Sequence, residues 1–313
     1  MGFLAYKQLE KEYAKFIGSD YAVAVNSGTA ALHLALLALD VRPGDEVIVP
    51  DFTMAACGFA VSYTRARVVT VDCDKRFNID TKDLENKITE KTRAIMAVHI
   101  YGRLCDMEEI NRIAKKYNIF VIEDACEAQG AKLGPADVTC HSFYSNKIVH
   151  AEEGGMITTN KPSIAEKANY LKNMAFGDNH SYFHEEIGYN YRMPEGQAQK
   201  ALESLRIVDR NLKKRKKIEK WYNKYIPKEW QLPERDVVWV YDLKHPKKHN
   251  VVTLVNGSRF AFKPLSTMPM WKQTVGENAL KASQENIYLP VHPSMSKRDV
   301  KRISYETFNC GVR

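Results

Sequence analysis

The sequence predicts an α/β protein with a mostly parallel sheet in a large first domain and a smaller α+β domain after it. Three observations carry this expectation. Short β-branched runs alternate with helical stretches through the first two-thirds of the chain. The texture changes near residue 206, where a long basic helix begins and short, proline-broken segments follow. The 313 residues are enough for one large core and a second, smaller one. The expected domains are therefore 1–205 and 206–313.

Each element follows from local pattern. YAVAV (21–25) reads as a strand, and TAALHLALLAL (29–39) after it as a helix. EVIVP (46–50) precedes the helical TMAACGFAVSY, and RVVTVD (67–72) precedes the charged TKDLENKI. TRAIMAVHIYG (92–102), helical MEEINRIAKKY (107–117) and IFVIEDA (119–125) complete the series. Strands alternating with helices indicate a parallel sheet covered on both faces, and ligands gather at the carboxyl ends of such strands. Residues 206–225 read as one basic helix. VVTLV and RFAFK read as short strands, and a terminal helix starts at Lys297.

Composition narrows the function classes. Hydrophobic residues at 44% and charged residues at 27% are those of a soluble globular protein. No apolar run reaches the length of a membrane span, and the amphipathic start lacks the features of a signal peptide. A Met-Gly start with Tyr6 in place of Ser or Thr argues against myristoylation. Six scattered cysteines include no pair at CxxC spacing, so no metal site is expected and a reducing, cytoplasmic setting is. The net charge of +8 is concentrated in RNLKKRKKIEK (210–220). This run reads as the solvated face of a helix, because no nucleic-acid module accompanies it.

Four motifs carry possible chemistry. Asn26-Ser27-Gly28-Thr29 lies between a strand and a helix start, where free N–H groups and the helix dipole favour an anion. The same residues also suit a plain helix cap. Glu123-Asp124 ends an apolar strand. There a carboxylate can pair with a protonated ring nitrogen or cap the next helix. Ser142 to Lys147, with Glu153-Gly154-Gly155 following, offers a hydroxyl and an amine; desolvation frees a lysine amine for Schiff-base formation, whereas spacing alone favours an ordinary surface lysine. Gly188-Tyr189-Asn190-Tyr191-Arg192-Met193 is either a packed loop or a binding loop.

Taken in order, SGTAALHLAL, EVIVPDFTMAA, VHIYGRLCDM, VIEDACEAQGA, HSFYSNK with EEGGMITTN, GYNYRM and LPVHPSMS resemble the DegT/DnrJ/EryC1/StrS family of sugar aminotransferases. These enzymes depend on pyridoxal 5′-phosphate (PLP) and have the fold type I, aspartate aminotransferase-like architecture. The resemblance is dense to residue 205 and thin over 206–250.

It implies a role for each matching position. Lys147 corresponds to the Schiff-base lysine and Asp124 to the partner of the pyridine nitrogen. Ser142, with Ser27, Gly28 and Thr29, corresponds to the phosphate site. Glu127 falls near the ring hydroxyl, as in the perosamine-synthase-like branch. Asn190 corresponds to an Asn that reaches the cofactor of the neighbouring subunit, which implies a homodimer with shared active sites. Met54 stands where the family usually stacks an aromatic ring on the cofactor. The loop before His141 and the region 230–255 are shorter than usual. Lys rather than His at 147 implies amination rather than deoxygenation. The implied reaction takes an amino group from L-glutamate and gives it to a nucleoside-diphosphate keto sugar, with C4 of a 6-deoxy sugar as first choice. Arg192, Lys172 and Arg259 are candidates to meet the diphosphate, and His184 either approaches the sugar or, the more favoured reading, is a structural histidine. Three alternatives stay open: a non-catalytic regulator that binds PLP or a sugar nucleotide, a nucleic-acid binder using the basic run, and a PLP enzyme acting on amino acids.

Overall fold

A computed structural model describes residues 4–177 and 182–310. Its first part is built on a sheet of β1 (Tyr21–Val25), β2 (Glu46–Pro50), β3 (Arg67–Val71), β4 (Thr92–Val98), β5 (Phe120–Asp124), β6 (Val138–Ser142) and β7 (Gly155–Thr159). Their spatial order is β1-β7-β6-β5-β4-β2-β3. Strands β3, β2, β4, β5 and β6 are mutually parallel, and β7 runs antiparallel to both β6 and β1. Every residue of β2 and β7 is buried, as expected for strands covered on both faces.

Helices supply that cover. Gly28–Ala38 lies on one face, with Leu32, Leu34, Ala35 and Leu36 in the main core. Met107–Tyr117 lies on the other, where Ile110, Ile113 and Ala114 meet Ile48, Ile95 and Val121. Both ends of that second helix are written locally. Asp106 accepts a bond from the Glu109 N–H at 3.0 Å, and Asn118 closes the last turn in the left-handed region at φ 53°.

The second part carries an antiparallel sheet of β8 (Tyr241–Lys244), β10 (Asn286–Leu289) and β9 (Arg259–Phe260), in the order β8-β10-β9. The helices Val208–Tyr225 and Lys297–Asn309 pack on it. Ile218, Tyr222, Leu243, Ile287, Leu289 and Val300 form its separate core.

Three expectations change here. VVTLV is not a strand: it falls in the helix Lys248–Leu254 and the residue after it. Val251 and Val255, one helical turn apart, are both buried in the second core, so period-four burial overrides β-branched propensity. In RFAFK only Arg259 and Phe260 pair. The basic run is not wholly solvated: Arg215 is buried, and its Nη1 donates to the carbonyls of Trp239 and Val291 at 2.8 and 3.0 Å.

The chain after 206 also returns to the first core. Leu265, Trp271, Ala279 and Ala282 belong to it. The Trp271 ring lies against Phe59, its Nε1 donates to Ser62 Oγ at 2.9 Å, and a Cβ at Gly58 would sit 2.6 Å from the ring. Among the described residues, no helix is long and apolar enough to cross a membrane.

Candidate active site

Strands β1, β2, β4, β5 and β6 end on one edge of the sheet, and the residues at or just beyond their ends line a cavity of about 350 Å³. Its floor begins at the turn after β1. Ser27 caps the following helix, its Oγ accepting from the Ala30 N–H at 3.1 Å. Gly28 has no room for a side chain, because a Cβ would lie 2.8 Å from the Ser142 Cβ. Gly155 is as tight against the Ser27 carbonyl, at 2.4 Å. The helix start is thereby pressed against Ser142. Among the described residues no protein acceptor takes the N–H of Gly28 or Thr29. Two free amide donors, a helix N-terminus and the nearby hydroxyls of Ser27 and Ser142 make an anion cradle.

Asp124 ends β5 and is buried. Its Oδ1 accepts from the Cys126 N–H at 3.0 Å, and its Oδ2 faces the Cys57 thiol at 3.5 Å. Glu127, also buried, accepts at Oε2 from the Tyr101 N–H at 2.8 Å. Its Oε1 lies 3.7 Å from Lys147 Nζ. Burial pushes the Glu127 carboxyl up to about 7, against the opposing pull of Lys147 and the Tyr101 N–H.

The Tyr101 N–H reaches Glu127 because the backbone turns there into the left-handed region, at φ 54° and ψ 31°. That conformation is uncommon for an aromatic residue. Its side chain is held firmly: the ring stacks on Phe262 at 5.1 Å, and its hydroxyl accepts from the Phe262 N–H at 3.3 Å.

Lys147 follows the end of β6 by five residues and is largely buried. Its Nζ sits 3.9 Å from the centre of the Trp239 ring. The Trp239 indole N–H donates to the Asn146 carbonyl at 3.0 Å, fixing ring and loop together. Met54 lies at the mouth, half exposed, with its sulfur accepting from the Ala56 N–H at 3.4 Å.

Of the predicted cofactor residues, the structure brings together Ser27, Gly28, Thr29, Met54, Asp124, Glu127, Ser142 and Lys147. Asn190 stands apart, exposed and bridged to Asn173. The four predicted substrate residues are also outside this cavity. Lys172 is buried, and its ammonium donates to Glu10 Oε1 at 3.1 Å and the Ala24 carbonyl at 3.0 Å. Those bonds fasten the helix Pro162–Lys172 to the helix Ala5–Ile17 and to β1. Arg192 is exposed and donates to Asn173, Arg259 is exposed beside the Ser258 carbonyl, and His184 lies against Phe176.

Sequence reasoning missed Trp239, Phe262 and Tyr288, which the second part of the chain contributes to the cavity wall. It also missed Cys57 and Tyr101. Nothing in the runs VVWVY or FAFK separates a wall residue from a core residue.

An amine, a carboxylate beside the cavity and an anion cradle with two unused amide donors fit PLP, whose aldehyde, ring nitrogen and phosphate each find a counterpart. The DegT/DnrJ/EryC1/StrS aminotransferase family model matches residues 5–307. The chain belongs to this family. GDP-perosamine synthase of Caulobacter vibrioides is 37% identical over 324 residues, covering 95% of this chain and 87% of that one. GDP-perosamine synthase of Escherichia coli O157:H7 is 35% identical, covering 94% and 86%. Among solved structures, DesV of S. venezuelae superposes with a TM-score of 0.90 at 28% identity, covering 100% of this chain and 90% of that one. Bacillus subtilis NtdA with bound cofactor PMP does so with a TM-score of 0.90 at 28% identity, covering 100% and 78%. This DegT/DnrJ/EryC1/StrS aminotransferase is a PLP-dependent enzyme of fold type I.

Proposed function

We propose that this aminotransferase moves an amino group from L-glutamate to the keto carbon of a nucleotide-linked sugar, with a GDP-linked 4-keto-6-deoxy sugar as the favoured acceptor. The observation that carries the chemistry is the meeting of Lys147, Asp124 and the Ser27–Thr29 turn in one cavity. The acceptor class rests on the two GDP-perosamine synthases, each matched over most of its length.

PLP, when bound, supplies an aldehyde carbon that takes the nitrogen and a pyridine ring that takes up an electron pair. The chain's own residues do the rest. The free N–H groups of Gly28 and Thr29 and the Ser142 hydroxyl would hold the phosphate. The Asp124 carboxylate, fixed by the Cys126 N–H, would hold the proton of the ring nitrogen. Lys147 Nζ is the amine among the described lining residues, so it would both anchor the cofactor and carry the proton away from the donor's α-carbon. Glu127, with a carboxyl that titrates near neutrality, stands 3.7 Å from that amine and can take or return a proton there. Trp239 covers the amine and excludes water from it.

Asn190 completes the site of a second copy, and the enzyme acts as a homodimer with shared active sites. The exposure of Asn190 on its own chain, outside the cavity its family role belongs to, supports this reading.

The acceptor is tested by offering the enzyme, with L-glutamate, the GDP-, dTDP- and UDP-linked 4-keto-6-deoxy hexoses, their 3-keto counterparts and 2-keto acids, and following amine formation by mass spectrometry. Amination of the GDP sugar with the highest kcat/KM supports the proposal. Amination confined to sugars carrying a 3-keto group, or to keto acids, would replace it.

A further inference from the structure

A second cavity, of about 550 Å³, lies on the other side of the Lys147 loop and shares no lining residue with the first. It sits among the loop after Lys147, the start of the helix Val208–Tyr225 and the turn after β10. Its polar lining is cationic or neutral: Arg210, Lys214, Arg215, Asn211, His150 and His292. No carboxylate lines it. The positions 210, 211, 214 and 215 have i, i+4 spacing, which places them on one helix face.

Arg215 is the informative residue. It is 2% exposed. Its Nη1 donates to two carbonyls, its Nε has no partner, and no carboxylate pairs with it among the described residues. Burial draws the guanidinium down to about 10, still charged at neutral pH. A buried charge with no counter-ion and an unused donor is costly unless an anion completes it. Its more exposed neighbours also lack a counter-ion. Arg210 and Lys214 make no ion pair among the described residues, although Lys214 lies over the Trp221 ring at 5.0 Å. Further along the same helix, Lys216 does find a carboxylate, Glu219, at 2.7 Å. His292 Nδ1 lies 2.7 Å from the Ser294 hydroxyl and 3.2 Å from the Ser294 N–H, so both of these contacts stay within its own turn. Burial and the charge of Arg215 lower both His150 and His292, and His292 also presses on His150. Positive potential is thus concentrated here without an answering negative group.

We infer that this cavity binds a phosphate-bearing small anion, with Arg215 at its base and Arg210, Lys214 and the two imidazoles around it. The site goes beyond the transamination reading and does not depend on which sugar is aminated. It also touches the active site. The Arg215 guanidinium holds the carbonyl of Trp239, whose ring covers Lys147, and Ile148 in the cavity wall is the next residue after that lysine.

The test titrates the PLP-loaded enzyme with inorganic pyrophosphate, and separately with orthophosphate, in a low-salt buffer. Binding is read by calorimetry and by NMR of labelled histidines assigned with His150→Gln and His292→Gln. The comparison is Arg210→Gln/Lys214→Gln, a pair on the exposed side of the helix that leaves the fold intact, as an unchanged cofactor spectrum and melting midpoint would show. The proposal expects one pyrophosphate per chain, shifts in both His resonances, and at least a tenfold weaker affinity in the double variant. Pyrophosphate binding that moves neither histidine, or that is equally tight in the double variant, would overturn it, as would no binding at all. None of these results depends on turnover, so a failure here is separable from a failure of the aminotransferase reading.

Discussion

Glu127 shows how a single buried side chain sets up a measurable pH dependence. Its carboxyl rests at about 7 in the folded chain against an ordinary value of 4.5, chiefly because it is buried. Below pH 4.5 the group is protonated whether the chain is folded or not. Between there and about 7 the unfolded chain has lost the proton while the folded chain keeps it, so the folded state loses stability as pH rises; above that the loss is constant. In cofactor-free enzyme, Glu127→Gln should therefore gain melting temperature relative to wild type across that window and hold the gain above it. A gain that shrinks as pH rises would show that Lys147 and the Tyr101 N–H outweigh burial. The residue was legible in the sequence through its place three after Asp124. Its second partner was not, because the positive φ at Tyr101 follows from packing on Phe262 and leaves no mark in HIYGR.

Elements show where local pattern suffices and where it does not. The helix MEEINRIAKKY carries its own start, stop and apolar stripe, and its observed bounds are those of the pattern. β7 carries none, since GMITT could pair in either direction and its antiparallel insertion between β1 and β6 is decided by the sheet. VVTLV misled because branched side chains suit a strand, whereas burial at 251 and 255 needs a helical turn. The turn after β1 was legible as cap or cradle, and the structure adds why Gly28 is required there: it touches Ser142 across the sheet edge. Gly28→Ala should cost about 1–3 kcal/mol in stability through overpacking and weaken PLP binding, because the helix start is pushed off Ser142. Equilibrium unfolding and a cofactor titration check this. Unchanged PLP affinity would mean that the Gly28 turn does not hold the phosphate.

At the scale of the molecule, the two parts of the chain are joined by buried ions that no local pattern announces. Arg103, just after β4, is fully buried and places Nη1 and Nη2 at 2.9 and 3.1 Å from the Asp242 carboxylate in β8. Arg235 reaches the same carboxylate, and the Arg103 guanidinium also donates to the Pro233 carbonyl. Arg103→Met strands part of this charge in the interior and should lower unfolding stability by about 3–5 kcal/mol. A loss below about 1 kcal/mol would mean that Arg235 alone neutralises Asp242. The same join brings Trp239, Phe262 and Tyr288 over a cavity whose floor was readable from the first part of the sequence. The floor was legible because its residues recur in fixed order at strand ends. The wall was not, because its aromatic residues come from far along the chain and look like core. In the proposed reaction Lys147 is the anchoring and proton-carrying amine. The most direct measurement is the absorbance spectrum of PLP-loaded enzyme before and after L-glutamate, for wild type and for Lys147→Ala. Wild type should lose its lysine-bound cofactor band near the visible edge and gain a near-ultraviolet band. Lys147→Ala should show neither the starting band nor the catalysed conversion. Conversion of Lys147→Ala by glutamate at the wild-type rate, or a wild type that binds PLP and is left unchanged by glutamate, would contradict the account.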